Sequence, residues 1–264
     1  MLADAPDLRL SSALVPRLEW RSSVGSTNAE LVERATDALW PDLSVVATDD
    51  QTAGRGRLDR RWVAPAGSAV AVSVLLRPAV PVERLGWLPL LAGLAVARAA
   101  DRFIGADRVS VKWPNDVLVD GRKLSGVLSE LTADGSVVVG AGINTAAGEG
   151  DLPVPTATSL AIEGAPGIGT DAVLSAYLEE LLPLYRGFVE HRGDAMASGL
   201  RAAVTERCGT IGSRVRLELP GGAVVHGTAR GIDAEGRLVV QPADGSGLLP
   251  VAAGDVTHVR PDAD

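Results

Sequence analysis

The sequence predicts an α+β protein, a mixed sheet flanked by helices, with a small β-barrel behind it. Three observations lead there. Apolar, β-branched runs such as AVAVSVLL at 69–76 suit central strands. Longer stretches with helical spacing alternate with them, as in a layered sheet-and-helix domain. From Arg214 onward the pattern shifts to short alternating runs (VRLEL, VVHGTARGI, RLVVQ, LLPV, VTHV) separated by Gly- and Asp-rich turns.

Taken in order, RLEWRSSV at 17–24 reads as a strand ended by Gly25. A helix is expected from Thr27 to Ala38, with Ser26 or Thr27 as its N-cap and Glu30 three residues beyond Thr27. Leu43 to Thr48 and Ala69 to Leu76 are strands, and the polar stretch Asp49 to Ser68 between them is a long loop of the kind that usually carries function. Val82 to Arg102 is read as a helix with Pro81 at its start. Strands follow at 109–113, 117–119, 124–131 and 136–142, with Asp120-Gly121 as a hairpin turn. Helices are expected near 170–190 and 194–208. The domain boundary is placed at 209–212, giving a main domain over 1–209 and a barrel over 210–264.

Composition narrows the function. The chain has 264 residues, 46% hydrophobic and 22% charged, as in an ordinary globular protein. A net charge of −8 argues against a broad phosphate-neutralising surface, so no nucleic acid is expected as a main partner. Met1 to Arg9 lacks the basic-then-apolar pattern of a secretory signal. The apolar run Leu85 to Ala97 is interrupted by Gly86, Pro89 and Gly93 and is too short for a membrane span. No membrane association and a cytoplasmic location follow as expectations. The lone Cys208 reads as a buried structural thiol.

Only two of the 25 basic residues are lysines, Lys112 and Lys123. A bias so strong toward arginine marks the surviving lysines as candidates for positions where a planar guanidinium will not serve. They lie eleven positions apart in one unusual segment, VKWPNDVLVDGRKLSGVLSEL (111–131). Lys123 opens a strand in which Gly126 leaves space for something to lie against the sheet. In the loop QTAGRGRLDRRW (51–62), Arg55, Arg57, Arg60 and Arg61 stand among glycines. Guanidinium forks beside bare backbone suit phosphate or carboxylate oxygens; a solvated surface or an RNA contact remains the alternative. No Gly-Lys-Ser/Thr follows, so this is not a P-loop. The GAGIN run at 140–144 fails as a dinucleotide fingerprint, because Thr145 stands where a third glycine belongs.

Ser26-Thr27-Asn28, QTAGRGR (51–57), KWPND (112–116), GRKLSGVLSE (121–130) and GAGIN (140–144), in that order, resemble the biotin–protein ligase family. The resemblance implies a mixed-sheet catalytic domain of the biotin/lipoate ligase type followed by an SH3-like barrel. It also implies ATP-dependent formation of biotinyl-5′-AMP, then transfer of biotin to a lysine of a biotin carboxyl carrier protein of acyl-CoA or pyruvate carboxylases, with Mg²⁺. Carried over by position, Ser26, Thr27, Asn28, Gln51, Arg55, Gly56, Arg57, Lys123 and Gly126 bind biotin. Arg57, Arg60, Trp62, Lys112, Asn115, Asp116 and Asn144 bind ATP or the adenylate, and Asp116 is the candidate metal ligand. Lys123, Arg57 and Arg55 are the expected catalytic cations. The family's usual glycine is replaced by Asp59, and no aromatic residue lies between Trp113 and Tyr177, which leaves Trp62 as the ring for adenine. A lipoate or octanoate ligase or transferase of the same fold is the rival. A bifunctional DNA-binding repressor is disfavoured, since about 25 residues before Ser26 do not hold a three-helix module. A weak homodimer is left open.

Overall fold

The structure, a computed structural model, describes residues 5–58, 60–219, 221–252 and 254–258. The expectations attached to Asp59, and to the first four and last six residues, lie outside the described residues. After a four-residue helix α1 (Arg9–Ser12) come β1 (Arg17–Trp20), α2 (Thr27–Arg34), β2 (Ser44–Thr48) and β3 (Ala69–Leu76). A 3₁₀ helix (Val82–Trp87) runs directly into α3 (Leu88–Ile104). Four strands follow, β4 (Val109–Lys112), β5 (Asp116–Val119), β6 (Arg122–Leu131) and β7 (Val137–Asn144), then α4 (Thr170–Glu190) and α5 (Leu200–Arg207). The C-terminal strands are β8 (Arg214–Glu218), β9 (Val224–Ile232), β10 (Leu238–Pro242), β11 (Leu249–Val251) and β12 (Asp255–His258).

The first seven strands form one sheet in the order β1-β2-β3-β7-β6-β5-β4, parallel only between β1 and β2. Alternation along β3 and β7 sorts their side chains between its faces. Val72, Val74, Leu76, Val137, Val139 and Ala141 join the main core, which also holds α3 and α4. Each fully buried Leu or Val adds about 1.5–3 kcal/mol of hydrophobic stabilisation. On the opposite face, Leu31 of α2 and Ala35, its C-cap, pack with Trp40, Val46, Leu75 and Val138 in a smaller cluster. The short α2 covers only part of that face. The remainder is floored by Gly126, Gly140 and Gly142, and there the cavity lies.

The last five strands form a second, antiparallel sheet in the order β11-β10-β9-β8-β12. One turn of this sheet, at 234–236, anchors it to the larger domain. The indoles of Trp87 and Trp113 donate to the carbonyls of Ala234 and Gly236, each at 3.0 Å. Gly86 fits against this turn, where an added Cβ would stand 2.6 Å from the Glu235 carbonyl oxygen.

Several elements differ from the sequence reading. The helix expected from Val82 begins as 3₁₀. The helix expected from 194 begins only at Leu200: the Asp194 carboxylate accepts from the amides of Met196 and Ala197, and Gly199 is left-handed (φ 76°). The first strand stops at Trp20, with Val24 returning only as an isolated bridge to Gln51. The helix from Thr27 ends at Arg34. The Asp120-Gly121 turn has positive φ at both residues (47° and 81°), as a tight hairpin requires.

Candidate functional site

Ser26 is the N-cap of α2, its hydroxyl accepting from the Ala29 amide. That cap starts the helix at the sheet surface and leaves Thr27 and Asn28 buried against it. Gln51 reaches back from the end of β2, its Oε1 accepting from the Thr27 amide (2.9 Å) and hydroxyl (3.1 Å). Asn28 Oδ1 accepts from Ser73 at 2.6 Å, and its amide group donates to the Leu128 carbonyl and to Glu130. Gly140 must be glycine here, because an added Cβ would overlap Asn28 Oδ1.

The arginine loop folds as a narrow hairpin. Trp62 N–H donates to the Gly54 carbonyl (3.0 Å), and Gly56 N–H to the Arg60 carbonyl (2.7 Å). Its closure brings the Trp62 indole over the glycine floor: a Cβ on Gly142 would collide with the ring, and one on Gly126 would stand 3.5 Å from it. Arg57 donates to Asn115 Oδ1 at 3.1 Å and to the Gly254 carbonyl of the second sheet at 3.4 Å. Asn115 in turn donates to the Val127 carbonyl at 2.8 Å.

Lys123 reaches the cavity through a bulge. Val117 pairs with Ser125 and Leu118 with Lys123, so Leu124 is an extra residue in β6. Strict alternation would put Lys123 and Gly126 on opposite faces; the bulge puts them on the same one. The Lys123 ammonium forms an ion pair with Asp116 Oδ1 at 2.6 Å and lies over Gly126. The next segment pairs with the same strand, Lys123 N–H donating to the Thr156 carbonyl and Thr158 N–H to the Lys123 carbonyl.

These residues line one cavity of about 930 Å³, open mouth included, and Val256 of β12 adds to its wall. Its described lining carries six cations, Arg55, Arg57, Arg60, Arg61, Lys112 and Lys123, and one carboxylate, Asp116. In a chain of net charge −8, such a concentration fits an anionic ligand. Among the described residues no group of three or more His, Cys, Asp or Glu side chains is placed to hold a metal.

Of the residues singled out in the sequence, Ser26, Thr27, Asn28, Gln51, Arg55, Gly56, Arg57, Arg60, Trp62, Lys112, Asn115, Asp116, Lys123 and Gly126 meet in this cavity. Asn144 stands apart from its lining; it is buried, and its amide donates to the Thr158 carbonyl at 2.9 Å. Trp113 touches the cavity but is 1% exposed and committed to the turn at 234–236 of the second sheet. The sequence reading missed Glu130, although Gly126, Leu128 and Glu130 share the parity of one strand face. It also missed the contribution of Gly254 and Val256, for which the local sequence carries no signal.

Residues 20–144 match the Biotin/lipoate A/B protein ligase family, and residues 210–259 the Biotin protein ligase C terminal domain. The biotin–[acetyl-CoA-carboxylase] ligase of Mycobacterium tuberculosis is 40% identical, over 92% of this chain and 90% of its own. The chain belongs to the biotin/lipoate protein ligase family. A second member, the biotin–[acetyl-CoA-carboxylase] ligase of Paracoccus denitrificans, is 32% identical over 86% of this chain and 95% of its own. Among solved members, the biotin protein ligase of Aquifex aeolicus in complex with biotin and ATP superimposes with a TM-score of 0.76 at 27% identity. That match covers 93% of this chain and all of the other.

Proposed function

We propose that the chain is an ATP-dependent biotin–protein ligase, with catalytic residues in 1–209 and an SH3-like unit in 210–264. A biotin carboxylate oxygen attacks the α-phosphorus of ATP, forming biotinyl-5′-AMP and releasing pyrophosphate. The amine of a carrier lysine then attacks the acyl carbon; AMP leaves and the amine loses its proton. The observation that carries this reading is the six-cation cavity beside a glycine-floored, partly apolar recess. Anionic phosphates need the first feature and a flat ring system the second.

Ser26, Thr27, Asn28 and Gln51 take the biotin ring end. Arg55, Gly56, Arg57 and Lys123 surround the acyl-phosphate, where fixed cations stabilise the charge that develops on oxygen. Arg60, Lys112 and Asn115 hold the remaining phosphates. With Trp62 laid on Gly126 and Gly142, its ring flanks the acyl chain and the adenylate. Asn144 acts on the adenine side through the Thr158 segment it anchors. Mg²⁺ prefers one or two carboxylates together with phosphates and water; Asp116, the one carboxylate of the described lining, fits a cation that arrives with ATP.

The acceptor is the biotin carrier domain of acetyl-CoA carboxylase, with pyruvate carboxylase as a further source, and the reaction runs in the cytoplasm. No helix among the described residues is long and apolar enough to cross a membrane. The test is incubation with biotin, ATP, Mg²⁺ and a carrier domain, following pyrophosphate release and the carrier's mass. Biotin-dependent pyrophosphate and a carrier heavier by one biotinyl group are expected. Pyrophosphate release indifferent to biotin would overturn the reading.

A further inference from the structure

Glu130 belongs to none of the recognised motif roles, yet it joins two of the residues given one. Its Oε2 accepts from Asn28 Nδ2 at 2.8 Å and from Arg55 NH2 at 3.0 Å. Asn28 is tied through Oδ1 to Ser73, which is fully buried on β3. Ser73 Oγ stands 2.7 Å from Thr27 Oγ1, and Thr27 is bonded to Gln51. The Ser73 hydroxyl has one proton, which goes to Asn28; the Thr27 hydroxyl then donates to Ser73 or Gln51, whose Oε1 keeps the Thr27 amide. A continuous polar chain therefore runs Gln51–Thr27–Ser73–Asn28–Glu130–Arg55. It leaves the arginine loop at Gln51 and returns to it at Arg55.

Glu130 is the charged acceptor in that chain. A charge-assisted bond to a guanidinium is stronger than its neutral equivalent. Arg55, which lines the cavity, is 45% exposed, and Glu130, just outside the lining, 26% exposed, so solvent reaches the pair beside the site. We propose that Glu130 is a positioning residue, which holds Arg55 and Asn28 in register so that the loop's base is set before biotin arrives. This rests on the reading of the cavity as the biotinyl-adenylate site. Glu130 touches neither the phosphates nor the reacting carbon and acts through its two partners.

Its effect differs from that of a residue that only supports the fold. Loss of the charge frees the biotin end of the site and leaves the Lys112–Asn115 end alone. In Glu130→Gln we expect the KM for biotin to rise about tenfold and that for ATP to change by less than about threefold. The amide of Gly56 should exchange at least about fivefold faster in the ligand-free protein, the loop having lost its anchor. In a cycle with Arg55→Gln, Glu130→Gln should add little on the Arg55→Gln background, because the pair it breaks is already lost there.

An unchanged biotin KM, unchanged loop exchange, or multiplying effects in the double variant would each overturn the proposal. If Glu130→Gln melts well below the unaltered chain, the cycle is run with Glu130→Asp, which keeps the charge but withdraws it by one carbon–carbon bond from Arg55. The exchange arm needs no ligand and judges Glu130 alone. A chain that makes no biotinyl-AMP would instead sink the functional reading.

Discussion

Replacing Lys123 tests the mechanism at its most exposed point. The ammonium is 2.6 Å from Asp116 Oδ1, with the two side chains 36% and 20% exposed. A partly solvated pair of that kind contributes at most about 1 kcal/mol to stability. In a protein of this size that is a fall in melting temperature of about 2–4 °C. Activity should respond far more. A fixed cation facing a developing oxyanion is worth about 3 kcal/mol, or about a hundredfold in rate. Lys123→Ala should therefore fold and make biotinyl-AMP about a hundredfold more slowly at saturating ATP, followed by pyrophosphate release. Lys123→Arg keeps the charge but not the shape. The Lys123 ammonium already stands 3.1 Å from where a Cβ on Gly126 would lie, and the Trp62 ring 3.5 Å from the same point. A planar fork does not fit that space without moving the indole, so a loss of about tenfold is expected for Lys123→Arg. Wild-type adenylation by Lys123→Ala would refute the assignment of the cation to the reaction.

Gly142→Ala forces the Trp62 indole off the floor; biotin affinity should fall by about tenfold, read by titration calorimetry, with the fold retained in circular dichroism. Glu163→Gln should lower stability by about 3 kcal/mol in urea titrations, because the buried Glu163 carboxylate is shared by Arg108, Arg122 and Thr158. His258 is held below the ordinary imidazole range by burial and by the nearby Lys112 charge. The unfolded chain therefore binds the proton more readily, and stability falls as pH drops below about 6.5. Melts of His258→Gln should show a smaller loss between pH 7 and 5.5 than the unaltered chain.

Much of this was legible in the chain because the signals were local. A β-branched run such as 69–76 specifies a central strand, and the Asp120-Gly121 pair demands a tight turn. The five motifs converge on one cavity since each lies at the end of an element that the sheet brings to the same face. What escaped depended on non-local geometry. The facing of Lys123 follows from a one-residue bulge that no alternation rule reveals. Trp113, in the middle of a motif, is occupied by a carbonyl 123 residues away. Glu130 acquires its importance only when Asn28 and Arg55 arrive beside it. The shortened last helix turned on Asp194 taking up amides that a helix would otherwise use.

The seat of the C-terminal sheet has a consequence for dissection of the protein. Two indole N–H groups of the larger domain end on carbonyls of one turn, Arg57 reaches the Gly254 carbonyl, and Val256 closes part of the cavity. Removing the residues beyond 209 would take away the acceptors of both indoles and open the cavity on that side. The two sheets should therefore melt in a single calorimetric transition despite their separate hydrogen-bond ladders. A protease nick between them should leave the halves associated, whereas the first 209 residues expressed alone should be insoluble or inactive.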